Sequence, residues 1–141
     1  MEIKPYIRRV NYYETDQMSI VHHTNHIRYF EEARVDFMHQ IGCDIKELED
    51  MGIIIPNVDA YAKYKKVIEF YSLLKIEIKL VKFNGVSFTF EYVISFADTG
   101  EVASTGHTSH CFVNRERKPI SIKRTFPEIY KKMLDNLTSA S

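Results

Sequence analysis

The 141-residue chain has no tryptophan, and only two cysteines, five glycines and four prolines. Each shortage excludes something. Cys43 and Cys111 cannot build a disulfide framework, and they lack the CxxC spacing of a zinc site. With so few glycines and prolines there is no low-complexity linker and no internal repeat. Charge of one sign is also missing: 19 Lys and Arg meet 19 Asp and Glu. That balance argues against a nucleic-acid partner and against an anionic membrane surface. No apolar run approaches the roughly 18 residues that would span a bilayer. No apolar stretch follows Met1-Glu2-Ile3-Lys4-Pro5, so no secretory signal is visible. These absences lead to the expectation of a cytoplasmic protein. Neither GxGxxG, a P-loop, GxSxG nor HExxH occurs.

What is present is ordinary globular material, 45% hydrophobic and 27% charged. The length suits one domain over 1–141, with residues 138–141 expected to fray. A neutral chain has little charge repulsion to keep it monomeric.

The apolar period changes along the chain in a readable order. Residues 5–12 read as a strand, followed by the polar turn Glu14-Thr15-Asp16-Gln17. From Asn25 to Ile41 the spacing is helical, with Ile27, Phe30, Ala33, Arg34, Phe37, Met38 and Ile41 on one side. Thr24 or Asn25 suits its cap and Gly42 its end. Asp44 with Glu47 predicts a capping box on a short second helix ending near Gly52. Strands follow at 57–68, 73–83, 86–96 and 101–113, with Asn84-Gly85 as a hairpin turn. Thr125 with Glu128 predicts a closing helix whose apolar face is Phe126, Ile129, Met133, Leu134 and Leu137. Strands joined this closely run antiparallel. The expected fold is α+β: a curved antiparallel sheet of about five strands around one long central helix, plus a C-terminal helix.

The densest polar cluster runs from Tyr12 to His26, with Glu31 a turn into the helix. Asp16 precedes a helix start, where unpaired amides carry partial positive charge. A carboxylate beside such a site suits acyl transfer without a Ser or Cys nucleophile. An aspartate there can equally be a turn cap, and the residues alone leave both readings open. His22 and His26, four apart, would share a helix face and could hold a metal with Asp16 or Glu31. A surface or capping role for each is the plainer reading, and no metal site is assigned. Tyr61-Ala62-Lys63-Tyr64-Lys65-Lys66 reads as the solvated face of a strand rather than a phosphate site.

The stretch YYETDQMSIVHHTNHIRYFEEAR, Tyr12 to Arg34, resembles the signature of the hot-dog-fold acyl-CoA thioesterases of the 4-hydroxybenzoyl-CoA thioesterase type. Thr15-Asp16, Val21, His23, Asn25, Phe30-Glu31 and Arg34 fall in register. Asp44 to Glu49 before a glycine, and Ala103 to Thr108, extend the likeness over essentially the whole chain. The resemblance implies hydrolysis of a thioester to a carboxylate and free CoA, with no metal or redox cofactor. It implies Asp16 as nucleophile or general base, and a backbone amide near His23 on the carbonyl oxygen. The side chains of His23 and Tyr12 would support catalysis, and Asn25, Glu31 and Ser19 would contact substrate. It also implies a homodimer or homotetramer with acyl-CoA bound where subunits meet. Three departures stand out. Ser19 replaces the usual glycine, His26 the usual tyrosine, and Val67-Ile68-Glu69 the usual Pro-Ala-Arg. They leave two alternatives: an acyl-carrier-protein thioesterase, and a non-catalytic acyl-CoA-binding protein.

Overall fold

The computed structural model describes residues 2–138. Five strands form one antiparallel sheet: β1 (Tyr6–Arg9), β2 (Asn57–Tyr64), β3 (Leu73–Phe83), β4 (Ser87–Phe96) and β5 (Val102–Cys111). Their spatial order is β1-β3-β4-β5-β2. The sheet holds helix α1 (Thr24–Gln40); α2 (Ile45–Asp50), α3 (Ile122–Thr125) and α4 (Pro127–Asp135) complete the chain.

The two-residue period of β3 and β4 does what it predicts. Ile76, Ile78, Leu80, Phe88, Phe90, Tyr92 and Ile94 are buried against the helix side. Each buried aliphatic or phenyl group contributes about 1.5–3 kcal/mol. Phe37 of α1 meets Phe90 edge to face at 5.1 Å, and Phe30 stacks on Tyr92 at 4.4 Å. Gly106 on β5 makes that second contact possible. A Cβ there would lie 2.4 Å from the Phe30 ring and 2.3 Å from Tyr61 O.

Several local expectations need correction. The first strand stops at Arg9, because residues 12–14 wind into a 3-10 turn. The buried stripe of α1 takes in Asn25, His26 and Tyr29, which a purely apolar reading omits, whereas Ile27 and Arg34 are half-buried. Neither Thr24 nor Asn25 caps α1; His23 is its N-cap residue and makes no side-chain capping bond. Asp44 does stand at the N-cap of α2, yet its carboxylate accepts from His39 Nδ1 at 3.1 Å and no capping box forms. Thr125 ends α3 and donates to Ser121 O, and α4 starts at Pro127 instead, where a missing N–H costs nothing. Leu134 faces solvent. The Thr138 N–H donates to Leu80 O at 2.7 Å. Residues 139–141 lie outside the described residues.

Candidate active site

A cavity of about 320 Å³ opens where the 16–21 turn, the start of α1 and the 64–68 segment meet. Asp16, Val21, His23, His26, Tyr64 and Ile68 are among its walls. The turn is tightly specified. Asp16 N–H donates to Ile20 O at 2.8 Å, Ser19 N–H to Asp16 O at 3.0 Å, and Met18 N–H to Asp16 Oδ1 at 2.8 Å. Asp16 Oδ2 makes no hydrogen bond among the described residues. Ser19 has φ +62°, the left-handed region in which glycine is free of strain. The departure from glycine at this position therefore leaves the turn conformation in place, at a cost of about 1 kcal/mol.

The segment that lacks Pro-Ala-Arg braces this turn. Val21 N–H donates to Ile68 O at 2.7 Å and Phe70 N–H to Ser19 O at 3.3 Å. Ile68 is buried in the core. From the other side, Glu14 anchors the turn. It is 4% exposed and ion-paired to Arg8, and its carboxylate also accepts from Asn11 N–H at 2.7 Å. Burial would raise the Glu14 carboxyl, but the hydrogen bonds from Arg8 and Asn11 outweigh it and hold the group below the usual carboxylate range.

The start of α1 supplies amides. Asn25 N–H donates to His22 O, His26 N–H to His23 O, and Thr24 N–H to the His22 ring. His23 N–H has no hydrogen-bond partner among the described residues, and its residue lines the cavity. An amide left free at a helix start, in a cavity with a carboxylate, can hold an oxyanion while the carboxylate acts on the carbonyl carbon.

Of the residues singled out from the pattern, Asp16 and His23 come together here, and Ser19 shapes the turn between them. Tyr12 does not line this cavity; it is 75% exposed on the 3-10 turn, edge-on to Phe70 at 5.3 Å. Asn25 is buried, and its Nδ2 donates to Glu14 O at 2.8 Å, which ties the helix to the turn. Glu31 lines a different cavity of about 290 Å³ between α1 and α2, with Arg34, Val35, Met38 and Ile54 among its walls. The shared face imagined for His22 and His26 is not used: the His22 ring meets Thr24 Oγ1 and the His26 ring meets Ser104 Oγ, each at 2.8 Å. Among the described residues no three His, Cys, Asp or Glu side chains gather as a metal set. Sequence reasoning gave no site role to Tyr64 or Ser104, and read His26 only as a possible metal ligand or surface residue, although its place at the signature's usual tyrosine was already a signal.

A five-stranded antiparallel sheet in this order around one long helix is the hot-dog fold. Residues 10–137 match the family model of the Thioesterase-like superfamily, and the chain belongs to that family. A curated Aquifex aeolicus (strain VF5) protein with a provisional esterase name is 36% identical over 126 residues, covering 89% of this chain and 96% of that one. Bacillus subtilis (strain 168) YneP, provisionally named an acyl-CoA thioesterase, is 31% identical over 120 residues, covering 84% and 86%. The crystal structure of a DHNA-CoA thioesterase from Staphylococcus aureus superposes with a TM-score of 0.89 at 29% identity, covering 94% of this chain and 89% of that one. Among the described residues no helix is long and apolar enough to cross a membrane.

Proposed function

We propose that this thioester hydrolase acts on an acyl-CoA, with Asp16 as its catalytic carboxylate. The observation that carries the reading is the placing of Asp16, one oxygen unbonded, and His23, whose N–H has no partner among the described residues, on the walls of one cavity. Asp16 either attacks the thioester carbonyl carbon, expelling the CoA thiolate and leaving an anhydride for water to open, or takes the proton of the attacking water. Both routes give a carboxylate and free CoA, and the His23 N–H stabilises the oxyanion of either. Neither calls on a metal or redox cofactor. Single turnover in oxygen-18 water separates them when water opens the anhydride at the aspartyl carbon: the first product then carries no label and Asp16 takes it up, whereas direct attack by water puts one labelled oxygen in the product.

The substrate class is supported by the names of the relatives, the Staphylococcus aureus DHNA-CoA thioesterase among them. An aromatic acyl-CoA is therefore the first member of a test panel that runs from short to long aliphatic chains. The state expected in solution is a homodimer formed along β2. That strand has only β5 as a neighbour, and Val58, Tyr61 and Tyr64 stand exposed on it. Light scattering coupled to gel filtration tests this, and a monomer would remove it.

The deciding experiment is free-thiol release from the panel by wild type and Asp16→Asn. Loss of at least about a hundredfold in kcat, in a folded variant, is the expected result. Full activity in Asp16→Asn would remove the mechanism. Turnover confined to acyl groups on acyl carrier protein would replace CoA as the carrier.

A further inference from the structure

We propose that His26 is a further catalytic residue, whose Nε2–H donates a hydrogen bond to the carbonyl oxygen of the bound thioester while Ser104 holds the ring in that tautomer. The inference rests on the reading of the Asp16 cavity given above.

His26 stands three residues after His23, so the two share one face of the first turn of α1, and both line the cavity. The residue is 4% exposed, deep enough for its hydrogen bonds to be strong. Its Nδ1 lies 2.8 Å from Ser104 Oγ on β5. Its Nε2 makes no hydrogen bond among the described residues, and it is not sealed away from solvent. The space beside the residue that solvent reaches is the cavity that His26 lines. Tyr64 packs edge-on against the ring at 4.7 Å and donates its own hydroxyl to His23 O at 3.1 Å. Contacts on two sides therefore fix the ring plane.

The tautomer follows from hydrogen-bond accounting. Ser104 is fully buried, and its hydroxyl has no partner besides the His26 ring. If Nδ1 carried the proton, the Ser104 hydrogen would be a buried donor with no acceptor. If Ser104 donates to Nδ1, only spare lone pairs remain, which is the cheaper arrangement. Nδ1 is then the acceptor, and Nε2 carries the hydrogen. Burial, with His23 nearby, holds the His26 pKa down to about 4, so the ring is neutral at assay pH. A neutral N–H donor transfers no proton. It strengthens as negative charge grows on the oxygen, which is what an oxyanion site requires. This arrangement is particular to a chain with histidine at this position, paired with serine at 104.

The test compares wild type, Asp16→Asn, His26→Phe, His26→Gln and Ser104→Ala on the best substrate of the panel. Each is also titrated with the non-hydrolysable thioether analogue of that substrate. His26→Phe should lower kcat by about a hundredfold. Its KM and its analogue Kd should stay close to wild type. His26→Gln, which restores a donor, should recover about tenfold of that loss, and Ser104→Ala, which frees the tautomer, should lose about tenfold. A folded His26→Phe with wild-type kcat, beside an inactive Asp16→Asn, overturns the role of His26 and leaves the cavity assignment standing. An Asp16→Asn enzyme of full activity overturns the cavity assignment itself. A loss confined to KM makes His26 a binding group and overturns the proposal. Should His26→Phe not fold, Ser104→Ala decides, and an unchanged kcat in it overturns the proposal.

Discussion

The two halves of the sheet are built on different principles. On β3 and β4 the row facing α1 is hydrocarbon and aromatic, from Ile76, Ile78 and Leu80 to Phe88, Phe90 and Ile94. On β5 the row facing the same helix is Ser104, Gly106, Thr108 and His110. The first half is held by area removed from water, which is non-directional. The second is held by specific bonds: His26 with Ser104, and a chain in which Arg34 Nη1 donates to Tyr92 OH, which meets Thr108 Oγ1, which meets His110 Nε2. The candidate site lies at the second half. A polar seam under a helix contributes less stability than hydrocarbon, but it orients side chains, and catalysis depends on orientation. The lesson is that this sheet separates the work of staying folded from the work of holding chemistry.

That separation can be broken by experiment. The apolar half should fail on truncation. Phe90→Ala, at a fully buried position, should cost about 4 kcal/mol in urea unfolding. The other half should fail on addition instead. Gly106→Ala places a methyl against Tyr61 O and the Phe30 ring and should cost about 3 kcal/mol. If Gly106→Ala proves neutral in the same assay, α1 is not seated on β5 as described.

The seam should also make the protein sensitive to mild acid. Burial holds His26 and His110 down to about 4, with His23 and Arg34 respectively adding to the effect. An unfolded histidine titrates near 6.5. Between these values the unfolded chain binds protons that the folded chain refuses, so stability is full above about pH 6.5 and falls as pH drops toward 4. For the two histidines together the loss should be about 3 kcal/mol by pH 5.5. Urea midpoints at pH 7.5 and 5.5 measure it, and a flat profile would mean that the rings are not buried as neutral groups. Thr108→Val leaves His110 Nε2 without its partner and Tyr92 OH with Arg34 alone, and should cost about 2 kcal/mol. Gly100→Ala meets nothing within 4 Å and bears only its φ of +77°, so about 1 kcal/mol is expected by thermal unfolding. It serves as the baseline for the Gly106 result.

Much of this was legible beforehand. Strand β3 falls on residues 73–83 as its alternation predicts, and α1 begins one residue before its predicted start. The hairpin at Asn84-Gly85 forms with Gly85 at φ +89° and Asn84 Oδ1 accepting from Val86 and Ser87 N–H. Asp16 beside a helix start was readable from local order. The companions of Asp16 were harder to read. Asn25 looks like a cap and is a buried tie; His26 looks like a surface residue and is a wall of the cavity. Tyr64, 48 residues downstream of Asp16, reaches it only because β2 ends there.

Period and turn chemistry are local, so the element order, the antiparallel pairing and the carboxylate before the helix were decided by residues within a few positions of one another. The direction in which each polar side chain faces is not local. Ser104 and His26 are 78 residues apart, and only the placing of α1 on β5, through the missing Cβ of Gly106, brings them to 2.8 Å. Which histidine is buried, which amide is left free and which cavity each residue lines were decided by that packing. A polar group's partner is set by what the fold leaves within hydrogen-bond reach, not by its neighbours in the chain.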